Sequence, residues 1–469
     1  MARIYNVIAD LCAYIIESCT EDFFVMYSCL SVNERQRIEH EINDKVPILF
    51  DEEEYVGRDR MSHKVIHKLT HEDMDEEFFE KLDIYSSELR NKEDYFGVCG
   101  LVQTLDAALK TLLLERIAEF QEDDFSVVLN TNREATGIGL LPRCSCVWER
   151  KHRLSHSYNR MDNFLFNILL MENNILGELI DRHFFLTNDL FPNFATKKSL
   201  KVAATALRLS PDFTADLYEK DRVQYFSITY DEKDFEKDNA TIWEKILDAA
   251  ENESDIIVFP EMLGNPEMTK YIGDKLKALT EVEREKVPSM IILPSYWENK
   301  RNTVTIMNRN GDVICKQCKQ NPFRIEAEGR AYLEGIIPSM VINIFHFEGI
   351  GRIAILICKD FLTTKYMEQL MRCFKLTLII VPSFSTGSYD FRQSFDLCAH
   401  DDCNVVWINT CASMVKGKEA NFENIGYVRK RISRTDDEAQ MLCGMKTCPG
   451  AFTGECNHDC MYYNTMQGV

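Results

Sequence analysis

No stretch of this sequence reaches the roughly 18–20 consecutive apolar residues that a membrane-spanning helix needs. Positive charge is in short supply: 54 Lys and Arg face 75 Asp and Glu, a formal balance of −21. A phosphate backbone or an anionic membrane surface repels such a chain except at a local basic patch. The Walker Gly-rich loop, the GxGxxG fingerprint, the HExxH pair and the Tyr-x-Asp-Asp polymerase motif are all missing. ATP-driven, dinucleotide and polymerase roles therefore lack a carrier. Internal repeats and low-complexity tracts are absent too. The first residues, MARIYNVIADLCAYII, soon meet Asp10 and Glu17 and lack a small-residue cleavage site. They predict the first helix of the fold rather than a leader, and the expectation is a soluble, cytoplasmic protein.

What is present is ordinary globular material. Apolar residues make up 45% and charged residues 28%, and a 469-residue chain can bury a large core without disulfide or metal staples. The 17 cysteines, an odd number, are scattered and read as reduced, small core hydrophobes. Segments 101–120, 164–180 and 199–209 carry apolar residues at three-and-four spacing and predict helices. Past Ser210-Pro211 the texture changes. RVQYFSITY, DIIVFPE, SMIILPSYW, TVTIMN, DVICK, MVINIFHF, GRIAILICKDF, LTLIIVPSFS and NVVWINTCAS read as strands, with helices at 240–254, around YMEQLMRCFKL and around Phe391–Cys403. Continuous apolar strands alternating with helices predict an α/β sheet covered on both faces. The expected division lies near residue 215: a helical domain over 1–215 and an α/β domain over 216–469.

In α/β sheets chemistry gathers at the carboxyl ends of strands. Three predicted strands end in reactive side chains: Glu261, Lys319 and Cys358. A thiol can attack a carbonyl or nitrile carbon, a carboxylate can carry its proton to the leaving nitrogen, and an ammonium can stabilise the oxyanion. An ammonium between carboxylate and thiol is further expected to keep Glu261 ionised and make the thiolate accessible near neutral pH.

The flanks of these three residues resemble the carbon–nitrogen hydrolase (nitrilase/amidase) superfamily. DIIVFPEM is similar to its first-strand motif, NTVTIMNRNGDVICKQCKQNPF to its lysine hairpin, and GRIAILICKDF to its nucleophile strand. The resemblance covers about residues 222–430. It implies an α-β-β-α sandwich, Glu261 as general base, Lys319 as the catalytic lysine with Lys316 as an accessory basic position, and Cys358 as nucleophile. Glu328, in EGRAYLEG, would be the supporting second glutamate. It further implies a small-molecule amide or nitrile substrate, no metal or organic cofactor, and a homo-oligomer of at least two chains. The sequence departs from the family at Lys359, where a Tyr is usual, at Asn321-Pro322 and at Phe384-Ser385. These departures, with the unmatched first 215 residues, support an alternative: a nitrilase-fold ligand sensor or scaffold in a bacterial defence-type assembly, with the helical half mediating interactions.

Two other constellations stand apart. Cys443, Cys448, Cys456 and Cys460, with His458, supply donors for a tetrahedral zinc site but not the C-x2-C spacing of ribbons and fingers, so reduced thiols are the preferred reading. His152 and His156 lie four residues apart in a basic stretch with Arg143, Arg150, Lys151, Arg153 and Arg160. This 143–160 patch is the one place where a nucleic acid or an acidic protein face could dock, and an intramolecular acidic segment would serve equally well.

Overall fold

A computed structural model describes residues 2–57, 60–119, 127–146, 160–186, 197, 199–207, 213–230, 235–327, 329–400, 403–413, 423–431, 442–453 and 460–467. It divides into two compact units, Met1–Ser145 with Arg150–Gly177 and Cys146–Glu149 with Glu178–Val469. The division therefore falls near residue 178, not near 215. Two strands, Ile180–Leu186 and Ser199–Ala204, belong to the α/β unit and lie in its two main sheets.

The first unit is built on helices. Ala2–Ser18 buries Ile4, Ile8, Leu11, Cys12 and Ile15 along one stripe, the spacing that puts side chains on a single helical face. The predicted helix at 101–120 is two helices, Tyr95–Ala108 and Lys110–Glu119, bent by 53°. No single described helix is long and apolar enough to cross a membrane. Gly100 lets helix Val32–Lys45 approach closely, because a Cβ there would meet Ile38 Cγ2 at 2.4 Å. The unit also carries a strand pair, Ile138–Pro142 with Ile168–Glu172, so the expected helix over 164–180 is instead a strand followed by a short turn of helix. Asp106 explains part of that change. Its buried carboxylate accepts the backbone N–H groups of Phe166 (2.8 Å), Asn167 (3.1 Å) and Ile168 (2.8 Å), which diverts the chain from helical hydrogen bonding.

The second unit carries two seven-stranded sheets. In the first, strands Met290–Ile292, Ile256–Val258 and Ser199–Ala204 run parallel. Its antiparallel members include Arg301–Asn308, paired with both Met290–Ile292 and Val313–Cys318, and Tyr462–Gln467 at the far edge. In the second, Gly351–Ile355, Leu378–Pro382 and Asn404–Ile408 run parallel, followed by antiparallel Asn424–Arg429 and Leu442–Lys446. All five residues of each of the three parallel strands are buried, as a sheet covered on both faces requires. Helices Phe235–Glu251 and Met268–Lys277 pack on the first sheet through Ile242, Ile246, Met268 and Ile272. The two sheets are tied by Gln317, which donates to the Val341 carbonyl at 3.1 Å and accepts from the Asn343 N–H at 3.1 Å.

Within the segment 199–209, predicted to be helical on its Ala and Leu content, Ser199–Ala204 forms a strand instead. Two neighbours, Ile256–Val258 and Tyr462–Gln467, satisfy its backbone on both sides, and tertiary pairing overrides a weak local propensity. RVQYFSITY is a strand, Val223–Tyr230, but it sits in a separate four-stranded sheet with Phe213–Lys220, Arg330–Glu334 and Arg324–Ala327.

Candidate active site

Three chain segments bring the reactive groups together. Glu261 follows strand Ile256–Val258, Lys319 follows strand Val313–Cys318, and Cys358 follows strand Gly351–Ile355. All three are buried, with exposures of 1%, 3% and 1%. Lys316, on the same hairpin strand, is exposed. The alternation of that strand therefore sends Gln317 inward and Lys316 outward, and Lys319 just beyond its end is the inward lysine.

Lys319 Nζ lies 2.8 Å from Glu261 Oε1 and 2.7 Å from Glu334 Oε2. The second carboxylate is thus that of Glu334, 4% exposed; Glu328, which the resemblance assigns to this place, lies outside the described residues. Glu334 ends strand Arg330–Glu334, two residues after buried Tyr332 on the same face, and its Oε2 also accepts the Phe323 N–H at 2.9 Å. The period-two alternation of AYLE could have found it. Asn302 binds the pair together: its Nδ2 donates to Glu261 Oε1 at 2.7 Å and to Glu334 Oε1 at 3.4 Å, and its carbonyl accepts the Lys319 N–H at 2.8 Å. The other oxygen of Glu261 accepts the Phe384 backbone N–H at 2.8 Å. Asn302 opens the NTVTIMN segment of the hairpin motif and lies across the hairpin from Lys319, next to the Thr303–Cys318 pair, whereas the Phe384 N–H carries no sequence signal for this role, because it acts from a different part of the fold.

Cys358 stands at a sharp turn between its strand and the short helix Lys359–Leu362, with φ 47° and ψ −100°. A residue with a Cβ adopts such a conformation only where its surroundings enforce it. Its N–H is held by the Pro382 carbonyl at 3.0 Å. The Lys359 N–H that follows has no hydrogen-bond partner among the described residues, and the Lys359 side chain is half-buried.

Electrostatics in this buried site follow from burial and pairing. Burial pushes the Glu261 carboxyl above the usual carboxylate range; Lys319 pulls it down and Glu334 pushes it back up. Burial works against the Lys319 charge, but the Glu261 and Glu334 carboxylates outweigh it and hold the ammonium well above the usual lysine value. Burial, reinforced by Glu261 and opposed by Lys319, holds the Cys358 thiol well above its ordinary value. Burial and the Glu261 carboxylate together outweigh the Lys319 ammonium at this thiol, which favours a protonated Cys358 that gives up its proton to a base over the ready thiolate that the residues suggest.

The other candidates that the sequence suggests are not gathered here. Cys443 pairs in the second sheet, opposite Val428, whereas Cys460 precedes the edge strand of the first; Cys456 and His458 lie outside the described residues. Among the described residues no three His, Cys, Asp or Glu side chains come together to hold a metal ion. His152, His156 and most of the basic patch also lie outside the described residues.

No family model and no curated protein matches the chain. Solved structures that it resembles include an amidase from Nesterenkonia sp. at 15% identity, with 50% of this chain and 84% of that one covered and a TM-score of 0.34. A mutant of the Nesterenkonia sp. AN1 amidase, showing covalent addition of the acetamide moiety of fluoroacetamide at its active-site cysteine, matches at 14% identity over 57% and 90% of the two chains, with a TM-score of 0.35. Saccharomyces cerevisiae Nit3, a member of branch 10 of the nitrilase superfamily, matches at 14% identity over 58% and 91%, with a TM-score of 0.34. Over about half its length the chain is thus similar to amidases and Nit proteins of the nitrilase superfamily, at identities that leave its activity to be read from its own residues.

Proposed function

We propose that this chain is a cysteine-nucleophile hydrolase of a non-peptide C–N bond, an amide, carbamoyl or nitrile group, built on a nitrilase-like α-β-β-α sandwich. The observation that carries the reading is the buried ammonium of Lys319 held between Glu261 and Glu334, with Cys358, at a positive φ, near enough to interact with both Glu261 and Lys319. A structural ion pair needs no thiol on a left-handed turn beside it.

For an amide, the steps follow from the positions. Cys358 Sγ attacks the carbonyl carbon as Glu261 accepts the thiol proton, so no free thiolate has to persist in the buried site. The oxygen gains negative charge, which the Lys319 ammonium and the unpartnered Lys359 N–H stabilise. Glu261 then gives the proton to the leaving nitrogen, the C–N bond breaks, and ammonia or an amine departs from a thioester. Water attacks that thioester with its proton passing to Glu261, and the acid leaves as the thiol regains a proton. Glu334 keeps Lys319 charged throughout, and no metal or organic cofactor enters any step.

The near-complete burial of Cys358 favours a second reading, a closed ligand pocket that senses rather than turns over. Both are tested by incubating the protein with fluoroacetamide and a panel of small amides and nitriles, reading intact mass and ammonia. The hydrolase predicts a covalent adduct on Cys358 and ammonia release that falls by about a thousandfold or more in Cys358→Ala. Ammonia release that survives in Cys358→Ala rejects the mechanism; binding without adduct or ammonia supports the sensor.

A further inference from the structure

Two residues beyond the nucleophile stands a carboxylate that the mechanism does not use. Asp360 is 1% exposed, and all its described hydrogen-bond donors come from the two residues directly after Lys319. Oδ1 accepts the Asn321 N–H at 2.7 Å, the Asn321 Nδ2 at 2.9 Å and the Gln320 N–H at 3.1 Å, and Oδ2 lies 3.2 Å from the same Gln320 nitrogen. We propose that Asp360 is a positioning residue, which locks the backbone carrying Lys319 onto the turn carrying Cys358 and so keeps ammonium and thiol in register. The proposal rests on the reading of Glu261, Lys319 and Cys358 as the reactive set.

The connectivity makes the lock short. On one side a single peptide bond separates the clamped Gln320 N–H from Lys319. On the other, one residue separates Asp360 from Cys358, and the Asp360 N–H is itself fixed on the Ile357 carbonyl at 3.0 Å. The rest of the Lys319 backbone is already held, its N–H on Asn302 at 2.8 Å and its carbonyl by the Ser339 N–H at 3.2 Å. Asp360 therefore removes the last freedom of the lysine turn. It also helps impose the disfavoured φ of Cys358, which persists only where several contacts converge. Placing a carboxylate here is costly: burial pushes its carboxyl up to about 7, against the pull of Asn321 and Lys319. An Asn at 360 could keep the Oδ1 contacts, but it would set an NH2 group against the Gln320 N–H, donor facing donor, where Oδ2 now lies at 3.2 Å, and it would lose the charge that strengthens the Asn321 bonds.

The test uses the full-length protein and the rate at which iodoacetamide alkylates Cys358, followed by peptide mass spectrometry at a fixed pH. Exposed Cys29 serves as the internal control. Asp360→Asn is expected to slow alkylation of Cys358 by about tenfold, and Asn321→Ala, which removes only one donor side chain, by a few-fold, with Cys29 unchanged. In a Lys319→Gln background Asp360→Asn is expected to add nothing, because the residue acts through the lysine; a carboxylate that merely supports the fold would slow both backgrounds alike. Wild-type rates in folded Asp360→Asn, or equal slowing in both backgrounds, overturn the proposal. Should Asp360→Asn fail to fold, Asn321→Ala decides: a wild-type rate there overturns it as well. If Lys319→Gln itself alkylates like wild type, the reactive set is wrong, and that outcome is distinct from a failure of the clamp.

Discussion

Removing the amine of Lys319 should damage the protein far more than its size suggests, and in a pH-dependent way. Lys319→Ala leaves Glu261 and Glu334, buried and within reach of the same vanished ammonium at 2.8 and 2.7 Å, with no counter-charge. Each contact represents about 6 kcal/mol of gross attraction at an effective dielectric of about 20, and most of that offsets the desolvation of three buried ions. Removing one partner of such a set leaves uncompensated charge and costs about 3–5 kcal/mol. The folded-state pKa of Glu261 is already raised by burial and rises further without Lys319. A carboxyl whose folded pKa exceeds its unfolded value is stabilising only while protonated, so the variant loses stability as pH rises through that raised pKa. The gap between wild type and Lys319→Ala should therefore widen between pH 5.5 and pH 8, by up to about 1.4 kcal/mol per pH unit per titrating carboxyl. Urea unfolding followed by tryptophan fluorescence at the two pH values measures it, with exposed Lys316→Ala as a control expected within about 0.5 kcal/mol of wild type. Adding Glu334→Gln to Lys319→Ala should restore part of the loss. A loss below about 1 kcal/mol, or a gap that narrows as pH rises, would refute the buried carboxylate–ammonium–carboxylate arrangement.

Glu261→Gln should retain ligand binding yet lose acylation of Cys358 by about a hundredfold or more, because the carboxamide fills the same space but accepts no proton; equal fluoroacetamide labelling of variant and wild type would remove Glu261 from the role of base. A chain starting at residue 178 should fold with both seven-stranded sheets complete, whereas one starting at 216 lacks strands Ile180–Leu186 and Ser199–Ala204 and should collect as insoluble protein. The comparison is soluble yield and circular dichroism, and a well-folded 216–469 fragment would restore the later boundary.

Much of the site is legible in the amino-acid sequence, and the reason is local. Glu261 and Cys358 each follow a run of consecutive apolar or β-branched residues, Lys319 ends the second strand of a hairpin, and a strand's carboxyl end is readable from its own residues. The hairpin of Arg301–Asn308 with Val313–Cys318 is likewise announced by Asn310-Gly311 between two apolar runs. What the sequence determined by itself was this: two textures, a series of buried strands, and three reactive groups at strand ends. Only the tertiary structure decided which neighbours those groups meet. Ser199–Ala204 became a strand because partners from residues 256–258 and 462–467 flank it, and no property of its own residues reveals them. Glu334 reached Lys319 because its strand pairs with Val223–Tyr230 and turns the carboxylate inward, a relation between segments about a hundred residues apart. The electrostatics of Cys358 were decided at the same level: the residues alone suggest an ammonium beside a thiol, but burial and the Glu261 carboxylate outweigh that ammonium. Local pattern specifies elements and their ends, whereas burial and pairing, which are sums over distant segments, specify the chemistry those ends can perform.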